Sequence, residues 1–184
     1  MTIKQFLQSK IFRCIAVLLC IALISGGLLA ILNDLWAVDD EILIQRGIES
    51  VCGKGVNLKQ VISQETIEYE NGSVQQVLLL DTNEYLIKAL GKHGFQEGNV
   101  SVYVLFALDG SKYAVKNVAV ADYSSSQTLM SKITDTGLSK FVGLSEQTNI
   151  NPSEIATGAS YSSTAIKNAV NSAIEYMQTI NMEG

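Results

Sequence analysis

Histidine, proline and tryptophan each occur once in these 184 residues, and cysteine three times. A single histidine argues against a His-rich zinc site or a Ser-His-Asp triad. Three cysteines are too few for a disulfide scaffold. No C-x-x-C or other metal-ligand spacing occurs, so no metal site is expected. Bases are scarce as well: 13 Lys and Arg against 18 Asp and Glu leave a net charge of −5. A nucleic-acid partner, which needs a basic face to displace counterions, is therefore not expected. Charged residues make up 17% and hydrophobic ones 47% of the chain, which excludes a disordered protein. The length allows one domain with a core plus an appendage.

The appendage is N-terminal. Cys14–Leu32 (CIAVLLCIALISGGLLAIL) carries no charge, and Ser25 is its only polar side chain. At 1.5 Å per residue the run spans roughly 28 Å, near the ~30 Å hydrocarbon thickness of a bilayer. Lys4, Lys10 and Arg13 precede it with no acid, and Asp34, Asp39, Asp40 and Glu41 follow it before the first base, Arg46. The positive-inside rule then puts 1–13 in the cytoplasm, a transmembrane helix over 14–32, and the rest outside the cytoplasmic membrane. A cleaved signal peptide is the alternative, but the run exceeds the usual 7–15 apolar residues of such peptides and no A-x-A site follows. Residues 34–184 hold 10 bases and 18 acids, a net charge of −8, which disfavours docking on anionic headgroups. Cys14 and Cys20 read as small apolar side chains, and Cys52 stands alone outside the span, free or crosslinked to another subunit.

Helical spacing of apolar residues over 34–51 predicts that the membrane helix continues or restarts, giving a helical connector over 33–65. Residues 66–70 and 73–80 flank Asn71-Gly72, a hairpin-turn signal. Another strand is predicted over 84–90, then a loop punctuated by Gly91, Gly94 and Gly98. Strands over 99–108 and 113–120 join at Asp109-Gly110, and their β-branched and aromatic content supports the pairing. Residues 125–134 and 137–148 read as short helices or loops, and Asn151-Pro152-Ser153 as a turn. Apolar residues at 165, 166, 169, 170, 173, 174, 177 and 180 form a helical stripe over 163–180, capped by Ser162, Ser163 or Thr164. The expected fold is α+β: one membrane helix, then an extracytoplasmic domain over 66–184 with an antiparallel sheet and packed helices.

Catalytic constellations are thin. Asp39/Asp40 and Glu68/Glu70 are paired carboxylates, but charges this close in sequence read as pointing to opposite strand faces or out to solvent, so neither pair is expected to be catalytic. His93 lies among glycines, as a base, a ligand or a plain loop residue. Gly91-Lys92-His93-Gly94 lacks phosphate-loop spacing. The informative stretch is Glu154–Thr164 (EIATGASYSST), a hydroxyl-rich run of small residues that enters a helix. Free N–H groups and the macrodipole at a helix start attract anions. A phosphate site and a plain N-cap both fit these residues.

Thr157-Gly158-Ala159-Ser160 resembles the Ser/Thr-Gly-Ala-Thr/Ser motif of the FMN-binding domain family, with Glu154 at the position of the family's aspartate. The resemblance implies that Ser160 carries FMN through a phosphoester, installed by a flavin transferase that uses FAD. Thr157, Gly158, Ala159 and Glu154 would be recognition residues. Serine replaces the commoner threonine at 160. The layout of one membrane helix and one outer domain is similar to the G subunits of Rnf electron-transport complexes; the C subunits of sodium-pumping NADH:quinone reductases are a second, usually longer, likeness. Thr134–Ser139 (TDTGLS) weakly resembles the Glu-Thr-Pro-Gly-Leu-Gly segment of that family, without the proline. By the same resemblance Thr136 and Leu138 would line the flavin ring, with Tyr161 and Ser163 as further contacts. The chain would then be an electron-carrier subunit of an ion-translocating ferredoxin:NAD oxidoreductase, not a catalyst on its own. Its partners would be the other membrane subunits, the transferase and membrane lipid. A stand-alone anchored flavoprotein and a non-redox anchored binding domain remain as alternatives.

Overall fold

The computed structural model describes residues 10–36, 40–124 and 127–183; the expectations placed on 1–9, on Asp39 and on 125–126 lie outside them. The chain divides into two compact units, Met1–Ile42 and Leu43–Gly184. Helix α1, Lys10–Trp36, belongs to the first and contains the uncharged run. Every side chain described along it is exposed, including Ile15, Leu18, Leu19, Leu23, Ile24 and Leu29. Among the described residues no helix is long and apolar enough to cross a membrane.

The second unit is built on a six-stranded antiparallel sheet. Its strands are β1 (Leu58–Ser63), β2 (Ile67–Glu68), β3 (Gly72–Leu80), β4 (Tyr85–Gly91), β5 (Val100–Asp109) and β6 (Lys112–Tyr123). The order is β1-β3-β4-β5-β6, and β2 pairs with the same edge of β3 as β1. Helix α2, Asp40–Cys52, precedes the sheet. Three short helices follow it: α3 (Gln127–Met130), α4 (Asp135–Leu138) and α5 (Pro152–Ile155). The long helix α6, Ser160–Glu183, closes the domain.

Side-chain alternation splits the core into two layers. On β5, Val100, Val102, Val104 and Phe106 join Ile166, Val170, Ile174 and Met177 of α6 in one cluster. Leu105 of β5 faces the other way, with Leu78, Leu80, Leu86 and, from α2, Ile48 and Val51. Each such fully buried side chain contributes about 2 kcal/mol of transfer free energy. The α6 stripe alternates small and large residues, so the helix lies close on the sheet. A Cβ added at Gly91 would stand 1.7 Å from the Ala165 carbonyl oxygen, and one at Gly72 would stand 2.6 Å from Ser172 Oγ.

Both predicted hairpins form. Asp109 pairs with Lys112 around Gly110 (φ +64°), and Glu68 pairs with Ser73. Three expectations need correction. The 33–65 connector is helical only over Asp40–Cys52 among its residues beyond Trp36; Leu58–Ser63 is a strand. That strand was hidden because its residues are mostly exposed on an edge, so no alternation of buried positions marks it. The last helix begins at Ser160, not 163, which places Ser162, Ser163 and Thr164 inside it rather than at a cap. Thr164 Oγ1 instead donates to the Ser160 carbonyl oxygen at 2.9 Å, a bond back along the first turn. Asn151-Pro152-Ser153 starts a helix: Asn151 Oδ1 accepts from the Ser153 N–H at 3.1 Å, and Pro152 takes the first helical position.

Candidate functional site

The stretch Glu154–Ser160 connects α5 to α6. Ala156 N–H closes α5 on the Pro152 carbonyl at 3.2 Å, and Gly158 then turns the chain with φ +76°. An L-residue rarely takes that conformation, whereas glycine takes it freely. Ala159 is buried and anchors the turn, its carbonyl accepting from the Ser163 N–H at 2.9 Å. Ser160 is left as an exposed first residue of a 24-residue helix. At that position backbone N–H groups have no partner within the helix, and the dipole's positive end points outward.

Helix α4 lies close by. Thr134 caps it by accepting from the Gly137 N–H at 3.3 Å. A Cβ at Gly137 would stand 2.0 Å from the Ile155 carbonyl oxygen, so α4 and α5 touch backbone to backbone. Between them opens a cleft of about 350 Å³ lined by Lys132, Thr134, Thr136, Lys140, Glu154 and Thr157, among others. Lys140 Nζ faces Glu154 Oε2 at 3.6 Å. Lys132 Nζ donates to the Gly158 carbonyl oxygen at 3.1 Å and makes no ion pair among the described residues. An ammonium with spare N–H groups, hydroxyls of three threonines and a helix start fit a phosphate.

The predicted residues are distributed unevenly. Glu154, Thr157 and Thr136 share this cleft, with Gly158, Ala159 and Ser160 continuing the chain from it. Leu138 is buried and lines a separate cleft of about 690 Å³, together with Val118, Val120, Met130, Ile133 and Asp135. Tyr161 lines a third, of about 350 Å³, with residues 93–97. Leu138 and Tyr161 therefore do not converge on one cavity. Ser163 is fully buried, and its Oγ has no hydrogen-bond partner among the described residues. Lys132 went unnoticed in the sequence because it stands 26 positions before Gly158, with only tertiary packing joining them.

The other candidates separate from the site. Glu68, on β2, pairs with Lys92, just past the end of β4, at 2.7 Å. Burial, with Glu84 adding to it, pushes the Cys52 thiol up to about 11, so it stays protonated and a poor nucleophile at neutral pH. No group of metal-ligating side chains gathers among the described residues. No protein-family model matches the chain, and neither does any curated protein or solved structure.

Proposed function

We propose that this protein is an electron-carrier subunit of a membrane-bound, ion-translocating complex of the Rnf type, carrying FMN esterified to Ser160. One observation carries the reading. An exposed serine opens a long helix two residues after a left-handed glycine whose carbonyl accepts from a lysine that makes no ion pair among the described residues. Ser160 would supply the accepting oxygen: in attachment by the transferase its Oγ would bond to the FMN phosphorus of FAD as the pyrophosphate bond breaks, AMP leaving and the hydroxyl proton passing to solvent. Lys132 and the N-terminal end of α6 would hold the phosphate oxygens. Gly158, lacking a side chain, lets that group approach the backbone. Glu154, paired with Lys140, orients the lip of the cleft. Bound flavin supplies one- and two-electron transfer. The tether prevents its loss outside the cytoplasm.

The membrane half of the proposal rests on α1. Its described apolar side chains point in every direction around the axis and are all exposed, the pattern of a helix surrounded by lipid. The basic N-terminal flank and acidic C-terminal flank orient it with residues 34–184 outside.

The test is coexpression with a flavin transferase. Wild-type protein should give a fluorescent band after denaturing electrophoresis and an intact mass raised by one esterified FMN. Ser160→Ala should lose both while its circular dichroism is unchanged. A wild type without the added mass overturns the reading; a variant that keeps the linked flavin overturns the assignment to Ser160.

A further inference from the structure

The third cleft has no role in holding the phosphate. It is about 350 Å³ in volume, lined by His93, Gly94, Phe95, Gln96, Glu97 and Tyr161. Tyr161 directly follows Ser160, so its Cα lies about 3.8 Å from that of the acceptor residue. It is 64% exposed, an uncommon place for a large aromatic with no core to fill. Its ring contact is Phe95, edge to face, with centroids 6.3 Å apart and planes at 64°.

The loop that brings Phe95 there is held under strain. His93, Gln96 and Glu97 are left-handed at φ 68°, 53° and 60°. Each such residue persists only where its surroundings enforce it. The enforcement is visible at both ends. Asn168 Nδ2, on α6, donates to the Lys92 carbonyl oxygen at 3.0 Å, and the Lys92 N–H donates to the Asn71 carbonyl at 2.9 Å. The Gly94 N–H donates to the Gly98 carbonyl at 2.8 Å, and the Gly98 N–H to the Phe95 carbonyl at 3.0 Å. Phe95 is thereby fixed beside the first turn of α6 instead of folding into the core.

We infer that Phe95 and Tyr161 form the seat of the flavin's ring system, with the 93–97 loop as its wall. The inference rests on the esterification of Ser160 proposed above. The physical reason is geometric: a phosphate on residue 160 and a stacking surface on residue 161 leave a short polyol chain to connect them. Two aromatic side chains offer a planar apolar ring an edge and a face at low entropic cost. Leu138, which lines a different cleft, has no part in this seat.

Steady-state flavin fluorescence of the loaded, folded full-length protein tests it, because a flavin stacked on a phenol ring emits weakly. Wild type should brighten several-fold on denaturation. Tyr161→Leu and Phe95→Leu should each be brighter than wild type when folded and equal to it when unfolded. The linked flavin on a denaturing gel, and the circular dichroism, should be unchanged in both. Leu138→Ala should leave folded-state emission as in wild type. Native emission identical to wild type in both aromatic variants, with the linked flavin intact, overturns the seat alone. Brightening by Leu138→Ala and not by the aromatic variants moves the ring to the other cleft and also overturns it. A wild type with no linked flavin overturns the esterification, and the seat with it.

Discussion

Two loops meet at the start of α6, and they use glycine for opposite reasons. In the 156–159 loop the glycine itself carries the left-handed turn, Gly158 at φ +76°. In the 92–98 loop the glycines have ordinary backbone angles, Gly94 at φ −71° and Gly98 at φ −66°, while His93, Gln96 and Glu97 take the left-handed ones. The glycines there serve close approach: a Cβ on Gly94 would stand 2.3 Å from the Gly98 carbonyl oxygen. The first loop is relaxed and leaves Ser160 accessible. The second is strained and presses Phe95 toward the helix. A glycine in a sequence thus announces either a dihedral or a distance, and only packing tells which.

Substitutions separate the two uses, the largest effect first. Gly91→Ala would drive a methyl to 1.7 Å from the Ala165 carbonyl, a backbone atom that cannot turn aside. Overpacking of this kind costs about 3 kcal/mol or more, so the urea midpoint should fall sharply or the domain fail to fold. A midpoint near wild type would mean that α6 does not lie this close to β4. Gly158→Ala should cost less, about 1–2 kcal/mol for the left-handed angle. Its new methyl meets only Lys132 Nζ, at 3.0 Å, the movable end of a long side chain. A loss as large as that of Gly91→Ala would place a steric role on Gly158 as well. Gln96→Gly should act in the other direction, relieving strain at φ 53° and raising stability by roughly 1 kcal/mol or less. Destabilisation there would show that the Gln96 side chain holds the loop by its own contacts.

Much of the sheet could be read from local chemistry. Asp109-Gly110 between β-branched runs marks a hairpin because few residues besides glycine and asparagine accept that turn. The stripe from Ala165 to Met177 marks a helix because only a 3.6-residue period puts those residues on one side. β1 was not legible, since an exposed edge strand has no buried face to imprint on its sequence. The opening of α6 lies three residues before the position its apolar stripe marks. Serines and threonines favour caps, but Ser162 and Ser163 are buried inside the helix, where packing outweighs that preference. The TGAS segment stood out; its companions did not. Lys132 and Phe95 reach the Gly158–Tyr161 segment from far earlier in the chain, Lys140 reaches Glu154 on α5, and nothing near them in the chain records that.

Patterns of polarity and turn chemistry, written residue by residue, were enough for an apolar N-terminal helix, an acidic antiparallel domain and a hydroxyl-rich segment ahead of a final helix. They suffice because periodicity and turn preference act over a few neighbours. Folding alone settled which side chains face Ser160, which cleft receives Leu138 and which Tyr161, and why Gln96 is left-handed. Those outcomes depend on how closely α6 packs onto β3 and β4, and close packing is a property of surfaces that meet across the fold.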